Sequence, residues 1–135
     1  MAGGLGYFFG QQVLDHLLGA QSFTPPATWY AALMTANPTD AGGGTEVTGG
    51  SYARVAVTNN TTSFPSASGT ASMSTGITID WGTASANWGS ITCVAFYDAS
   101  SSGNLGPWCP LSVSKTVNSG DGFKVTTGNG TFTIS

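Results

Sequence analysis

Charge is what this sequence has least of. Only 7% of its 135 residues are charged, against about a quarter in an ordinary globular chain. Three cations, Arg54, Lys115 and Lys124, and a formal charge of −3 give no basic patch for phosphate binding, so nucleic acid is not an expected partner. The single histidine, His16, has no second histidine with which to share a metal and reads as a surface residue. No apolar run approaches the roughly 20 residues of a membrane-spanning helix. The opening residues lack a basic n-region, and Gln11, Gln12, Asp15 and His16 interrupt the apolar stretch, so no secretory leader is expected either. The protein is expected to act where it is made or to leave by lysis.

The parts of an active site are equally sparse. The carboxylates Asp15, Asp40, Glu46, Asp80, Asp98 and Asp121 lie in different segments, with no acidic cluster of the calcium-loop kind. A glycosidase pair such as Asp80 with Asp98 stays open to the sequence, because such pairs form in space rather than in sequence. The plainer reading gives Asp40, Asp98 and Asp121 turn and strand-end roles. The runs Gly42-Gly43-Gly44 and Gly49-Gly50 match neither a dinucleotide fingerprint nor a phosphate loop. No catalytic, metal or cofactor site is therefore expected, and the chain reads as a non-enzyme.

What is present is glycine, hydroxyl and aromatic residues. Aromatics reach 11% and glycine numbers 20, a composition unlike that of disordered chains. The length suits one domain with one core. Few charges leave a surface of hydroxyls, amides and glycine, a weak defence against association, which reads as a surface made to be covered.

Residues 7–18 read as the only helix. Steps of 100° per residue put Tyr7, Phe9, Val13, Leu14, Leu17 and Leu18 on one broad arc, with Gln11, Gln12, Asp15 and His16 opposite and Phe8 among the polar residues. Gly19 is the expected stop, and Pro25 and Pro26 prevent continuation. The period then changes to two. Residues 29–35 and 91–97 are apolar on both faces. Val55 and Val57, then Ile77, Ile79 and Trp81, alternate with polar neighbours. Phe123 and Val125, then Phe132 and Ile134, flank Gly128-Asn129-Gly130 and predict a terminal hairpin.

Seven or eight short strands at this spacing predict an all-β chain, an antiparallel β-sandwich or jelly roll with one N-terminal α-helix. The expected division is a helical assembly segment at 1–26 and a sandwich body at 27–135. The long connections at 37–50 and 59–74 are of a length usually reserved for function or for ordering by a neighbour.

Three sets of residues stand out. The helix residues Tyr7, Phe8, Phe9, Val13, Leu14, Leu17 and Leu18 carry more apolar surface than one sandwich can cover, and form the expected assembly interface. Arg54, the only arginine, is expected to fix the preceding loop through Glu46 first and Asp40 second. Cys93 and Cys109 fall opposite each other if residues 91–97 and 105–111 form a symmetric hairpin with Tyr97 facing Leu105, within reach of a disulfide. Against a bridge stand a reducing cytoplasm and a register shift caused by Pro107 and Pro110. Trp81 and Trp88 are candidates for stacking on sugars, although buried tryptophans are commoner in sandwiches.

Four stretches together carry a resemblance. They are Leu14-Asp15-His16 through Pro25-Pro26-Ala27-Thr28-Trp29-Tyr30, the loop 38–54 ending in Tyr52-Ala53-Arg54, Trp88-Gly89-Ser90-Ile91-Thr92, and Gly103-Asn104-Leu105 with residues 114–121. They resemble a family of small tailed-bacteriophage virion proteins often labelled tail fibre proteins, themselves similar to capsid decoration (cement) proteins. The resemblance implies a non-enzymatic virion component with a β-sandwich body. It further implies a homotrimer bound to the major capsid protein or to tail proteins, with no cofactor and no membrane or nucleic-acid partner. The first reading is a capsid decoration (cement) protein that stabilises the head by binding the major capsid protein; the alternative is a tail fibre or receptor-binding module that recognises a host surface glycan. Cys93 and Cys109 depart from the usual pattern of that family, without weakening the resemblance.

Overall fold

The computed structural model describes residues 3–69 and 71–133. Its backbone is antiparallel β throughout, with one N-terminal helix, as the alternating pattern predicts. The central strands are β2 (Thr28–Ala36), β7 (Gly89–Tyr97) and β8 (Leu105–Val117), in the order β8-β7-β2. The short β3 (Thr45–Glu46) and β4 (Val55–Thr58) share the far edge of β2, one at each end. On the other side, the two-residue β1 (Gly4–Leu5) adds to the edge of β8 through Trp108 and Pro107.

Two ribbons lie outside this six-stranded sheet. They are β6 (Ile79–Thr83) with β9 (Gly122–Val125), and β5 (Ser72–Ser74) with β10 (Thr131–Thr133). Their apolar residues Ile79, Trp81, Phe123 and Phe132 pack against Leu33, Ile91, Val94 and Phe96 of the large sheet, which makes the main core a two-layer one. Trp81 meets Phe123 edge-on at 5.6 Å, and Phe96 meets Phe132 in the same way. Strand alternation sends Ala32, Met34, Cys93 and Ala95 to the opposite face, where Leu105, Tyr97 and Trp108 close a second, smaller cluster.

The terminal hairpin is corrected: β9 pairs with β6, and β10 pairs with β5 through Phe132 opposite Met73. Thr75 explains the exchange. Its N–H donates to the Gly130 carbonyl, its own carbonyl accepts from Gly128 N–H, and its hydroxyl accepts from Gly130 N–H. The glycine turn is thereby held against residue 75, which carries the last strand over to β5. Ile134 lies outside the described residues.

The helix α1 (Tyr7–Gly19) ends one residue beyond expectation, with Ala20 in the left-handed conformation at φ 52° and Gln21 N–H donating to the Asp15 carbonyl. Its start is tied down by backbone: Gly6 N–H donates to Gly106 and Tyr7 N–H to the Asp40 carbonyl. A Cβ on Gly6 would sit 2.0 Å from the Leu105 carbonyl oxygen, so only glycine lets the helix leave β8 this closely. Gly6→Ala is expected to cost about 2 kcal/mol and to loosen the helix from the sheet. Thermal unfolding followed by circular dichroism checks this; an unchanged melting temperature would show that the helix accommodates the methyl by a small shift.

Candidate functional site

Two places gather the unusual residues: the outer side of the helix and the end of the sandwich where the helix begins. On the helix only Phe9 is fully buried, edge-on to Trp29 at 5.0 Å and near Phe23. Val13 and Gln12 flank it, half-buried. Leu18 projects about 180° away from Phe9, and Tyr7 and Leu14 lie within about 40° of Leu18, from the 100° step per residue. On that side Leu14 is 57% and Leu18 85% exposed, and Leu17, about 80° round from Phe9, is 70% exposed. Tyr7, Gly10, Leu14 and Leu17 also follow the alternating three- and four-residue spacing of a heptad seam. Of the seven residues expected at an assembly interface, Phe9 and Val13 therefore face the body, Phe8 projects sideways, and Tyr7, Leu14, Leu17 and Leu18 face out.

At the neighbouring end of the sandwich stands Arg54, with its side chain 6% exposed. Its guanidinium grips Glu46 with two parallel bonds, Nε to Oε1 at 2.9 Å and Nη2 to Oε2 at 2.8 Å. Nη1 donates to the carbonyls of Ala99 and Ser102 in the β7–β8 turn, and the group lies 4.0 Å over the Tyr97 ring. Tyr52 donates its hydroxyl to Glu46 Oε1 and accepts from Leu33 N–H. Burial would raise the Glu46 pKa, but the bonds from Arg54 and Tyr52 and the Arg54 charge outweigh it and hold the carboxyl below its ordinary value. The Glu46 bond raises Arg54 despite partial burial, and burial raises Tyr52. One arginine thus fixes the 37–50 loop, the base of β4 and the β7–β8 turn together.

Asp40 is not part of this cluster, a correction to its expected place beside Arg54. Its Oδ1 accepts the Trp108 indole N–H at 2.9 Å, and its carbonyl caps the helix. A Cβ on Gly4 would lie 2.2 Å from that Oδ1 and 2.7 Å from the indole nitrogen, so the pairing depends on glycine in β1. No sequence pattern links Asp40 to a tryptophan 68 positions away.

The cysteine pairing is corrected as well. Tyr97 does face Leu105, but Ala95 then faces Trp108, so β8 contributes one residue more than β7 in between. That slip puts Cys93 opposite Pro110 and Cys109 opposite Val94. A one-residue slip turns side chains to opposite faces. Cys93 lies in the smaller outer cluster, whereas Cys109 lines a cavity of about 40 Å³ with Val94, Phe96, Leu111 and Phe132 in the main core. Both are free thiols. Burial pushes Cys93 up to about 12 and raises Cys109 too, so both are protonated at neutral pH.

The remaining candidates have structural partners. Trp81 and Trp88 are buried, their indole N–H groups donating to the carbonyls of Ala31 and Gly50, so neither offers a face to a sugar. Asp80 accepts from Gly82 N–H, Asp121 from Asn118 N–H, and Asp98 from the backbone and side-chain amides of Asn104. His16 is exposed, its Nδ1 2.8 Å from the Gln21 carbonyl oxygen.

Between the helix start, the 40–43 loop and the β7–β8 turn lies an open groove of about 270 Å³. Tyr7, Phe8, Asp40, Tyr97 and Asn104 are among its lining residues. In comparisons with known proteins, the family model described as "Podophage GP4 fiber I protein gp80" matches residues 5–133. No curated protein matches the chain.

Proposed function

The chain belongs to the podophage GP4 fiber I protein family, and from that premise we propose that it is a non-enzymatic structural subunit of a virion fibre that acts by self-association, as a homotrimer. The observation that carries this reading is the outward stripe of Tyr7, Leu14, Leu17 and Leu18. These side chains stay in water although the helix is already anchored by Phe9, and a contiguous apolar stripe on a soluble body marks an interaction surface. Their heptad spacing fits the same stripe on a second and third copy.

The charged residues support a structural role. Asp80, Asp98 and Asp121 hold turns, and Glu46 and Arg54 hold each other. Lys115 leans over the Phe123 ring at 5.5 Å, and Lys124 stands opposite Asp80. The cations are thus dispersed, which speaks against nucleic acid as a partner. The place of action in this reading is the virion, assembled in the host cytoplasm.

A second reading is a capsid decoration protein that stabilises the head by binding the major capsid protein. The compact two-layer body favours it, since a slender fibre shaft is normally built from sequence repeats or long heptad arrays. Copy number tests the two. Densitometry of purified particles is expected to give a handful of copies, with antibody label at the tail. Hundreds of copies, with label over the head, would replace the fibre reading by the decoration reading.

A further inference from the structure

We propose that Asn129 and Gly130 form a self-modification site, where conversion of the asparagine to isoaspartate releases the C-terminal strand β10. Asn129 is the only asparagine in the chain followed by glycine, and glycine leaves its amide nitrogen least hindered for attack on the preceding side chain. Gly130 N bonds to Asn129 Cγ, the Cγ–Nδ2 bond breaks, and the Gly130 N–H proton passes through solvent to the departing ammonia. Water then opens the cyclic imide at either carbonyl, giving aspartate or isoaspartate. Asn129 is exposed to that water, and its side chain is held through Nδ2 by Thr126 Oγ1. The attacking Gly130 N–H is restrained by a long bond to Thr75 Oγ1, at 3.3 Å. Elsewhere the amide that follows an asparagine is held harder. Ser119 N–H, after Asn118, donates to Asn87 Oδ1 at 2.9 Å, and Trp88 N–H, after Asn87, donates to the Val117 carbonyl at 2.9 Å.

The position of the turn gives the reaction its consequence. Thr75 N–H donates to the Gly130 carbonyl at 2.8 Å, and Gly128 N–H donates to the Thr75 carbonyl at 2.7 Å. Isoaspartate routes the main chain through its own side chain, adding one carbon between residues 129 and 130. Gly128 and Gly130 can then no longer both meet Thr75. There is no slack to absorb the change, since even a Cβ on Gly130 would lie 2.8 Å from Thr75 Cγ2. Beyond the turn, β10 is three residues long and pairs with β5 alone, so little else retains it. Its departure would uncover Cys109, whose Sγ lies 3.8 Å from the Thr131 carbonyl oxygen and which shares the small core cavity with Phe132. The chemistry does not depend on the assembly reading. In a virion, where subunits are not replaced, its product would accumulate with age.

The test is prolonged incubation of the full chain at mildly alkaline pH, followed by peptide mapping by mass spectrometry and by iodoacetamide labelling of Cys109. Asn129 is expected to gain one mass unit ahead of every other asparagine, and faster as pH rises, because base removes the Gly130 amide proton. The isoaspartate form, separated by ion exchange, is expected to label at Cys109 about fivefold faster or more than fresh chain, since labelling tracks the opening of β10. Asn129→Asp carries the new charge without the extra main-chain carbon and is expected to label as fresh wild type does. Asn129→Gln, which would have to close a larger ring, is expected to stay unmodified and to keep the slow labelling after the same incubation. Three results would overturn the proposal: Asn118 converting ahead of Asn129; the isoaspartate form labelling at the fresh rate; or incubated Asn129→Gln labelling as fast as incubated wild type.

Discussion

Arg54→Met is expected to lower the melting temperature by about 10 °C at pH 7. The substitution keeps the length of the side chain and most of its apolar stem but deletes five donors. Glu46 loses its two bonds from the guanidinium, the carbonyls of Ala99 and Ser102 lose theirs, and the Tyr97 ring loses its cation. Breaking a fully buried pair costs about 3–5 kcal/mol. Glu46 is 25% exposed and can recruit water, which brings the cost to about 2–3 kcal/mol. In a chain of this length each kcal/mol moves the midpoint by about 4 °C. The pH dependence gives an independent check. In the wild type the folded pKa of Glu46 lies below its ordinary 4.5, so its contribution is complete above that value and is lost as pH falls through the folded pKa. Without Arg54, burial favours the protonated acid, and acidification helps rather than harms at this site. The gap between wild type and variant should therefore narrow below about pH 4. Calorimetry at pH 7 and pH 3.5 measures both effects; equal midpoints at pH 7 would reduce the cluster to a surface pair. Arg54→Lys should recover little, because an ammonium cannot serve a carboxylate and two carbonyls in one plane.

The Arg54–Glu46 contact was legible because the partners are eight residues apart across a glycine-rich loop, and few other charges compete. The same scarcity made Asp40 look like a second acid for Arg54, whereas its partner is the uncharged N–H of Trp108. Such a choice depends on β1 joining β8, and two residues, Gly4 and Leu5, carry too little pattern to announce a strand. The central strands were legible for the opposite reason. Residues 29–35 and 91–97 are apolar on both faces, and both faces are in fact covered, by the main core and by the cluster around Met34 and Cys93. The disulfide geometry failed at one residue. Counting back from Tyr97 and Leu105 is correct for that pair, and the extra residue beside Pro107 then inverts the facing of the stretch that holds Cys93 and Cys109, before a second irregularity between Cys93 and Ile91 shifts the register again. Pro107 signalled a bulge, but its size is set by packing and not by local propensity. The glycine turn at 128–130 misled similarly: a hairpin turn was present, but Thr75, more than 50 residues earlier, captured its backbone. The amphipathic arc of the helix was legible as a whole; which part of it the body covers depended on where Phe9 meets Trp29.

That division of the helix underlies the second large expected effect: a chain carrying Leu14→Ser, Leu17→Ser and Leu18→Ser should be a folded monomer that no longer enters particles. Folding is spared because these side chains are already 57%, 70% and 85% exposed in the single chain, so little native burial is lost. Association is not spared. A leucine moved from water into an interface contributes about 1.5–3 kcal/mol. Even with half of that realised, three per copy amount to about 2–4 kcal/mol, a factor of about 30 to 1,000 in the association constant for each copy added. Light scattering behind a sizing column should give the wild type three times the mass of the 13.6 kDa chain and the triple variant the mass of one. His16→Ser, on the same helix but about 160° round from Leu18, should stay trimeric. A triple variant that remained oligomeric would place the interface on the sandwich instead. A monomeric wild type that still loses particle occupancy in the triple variant would mean that the stripe docks onto another virion protein and not onto its own copies.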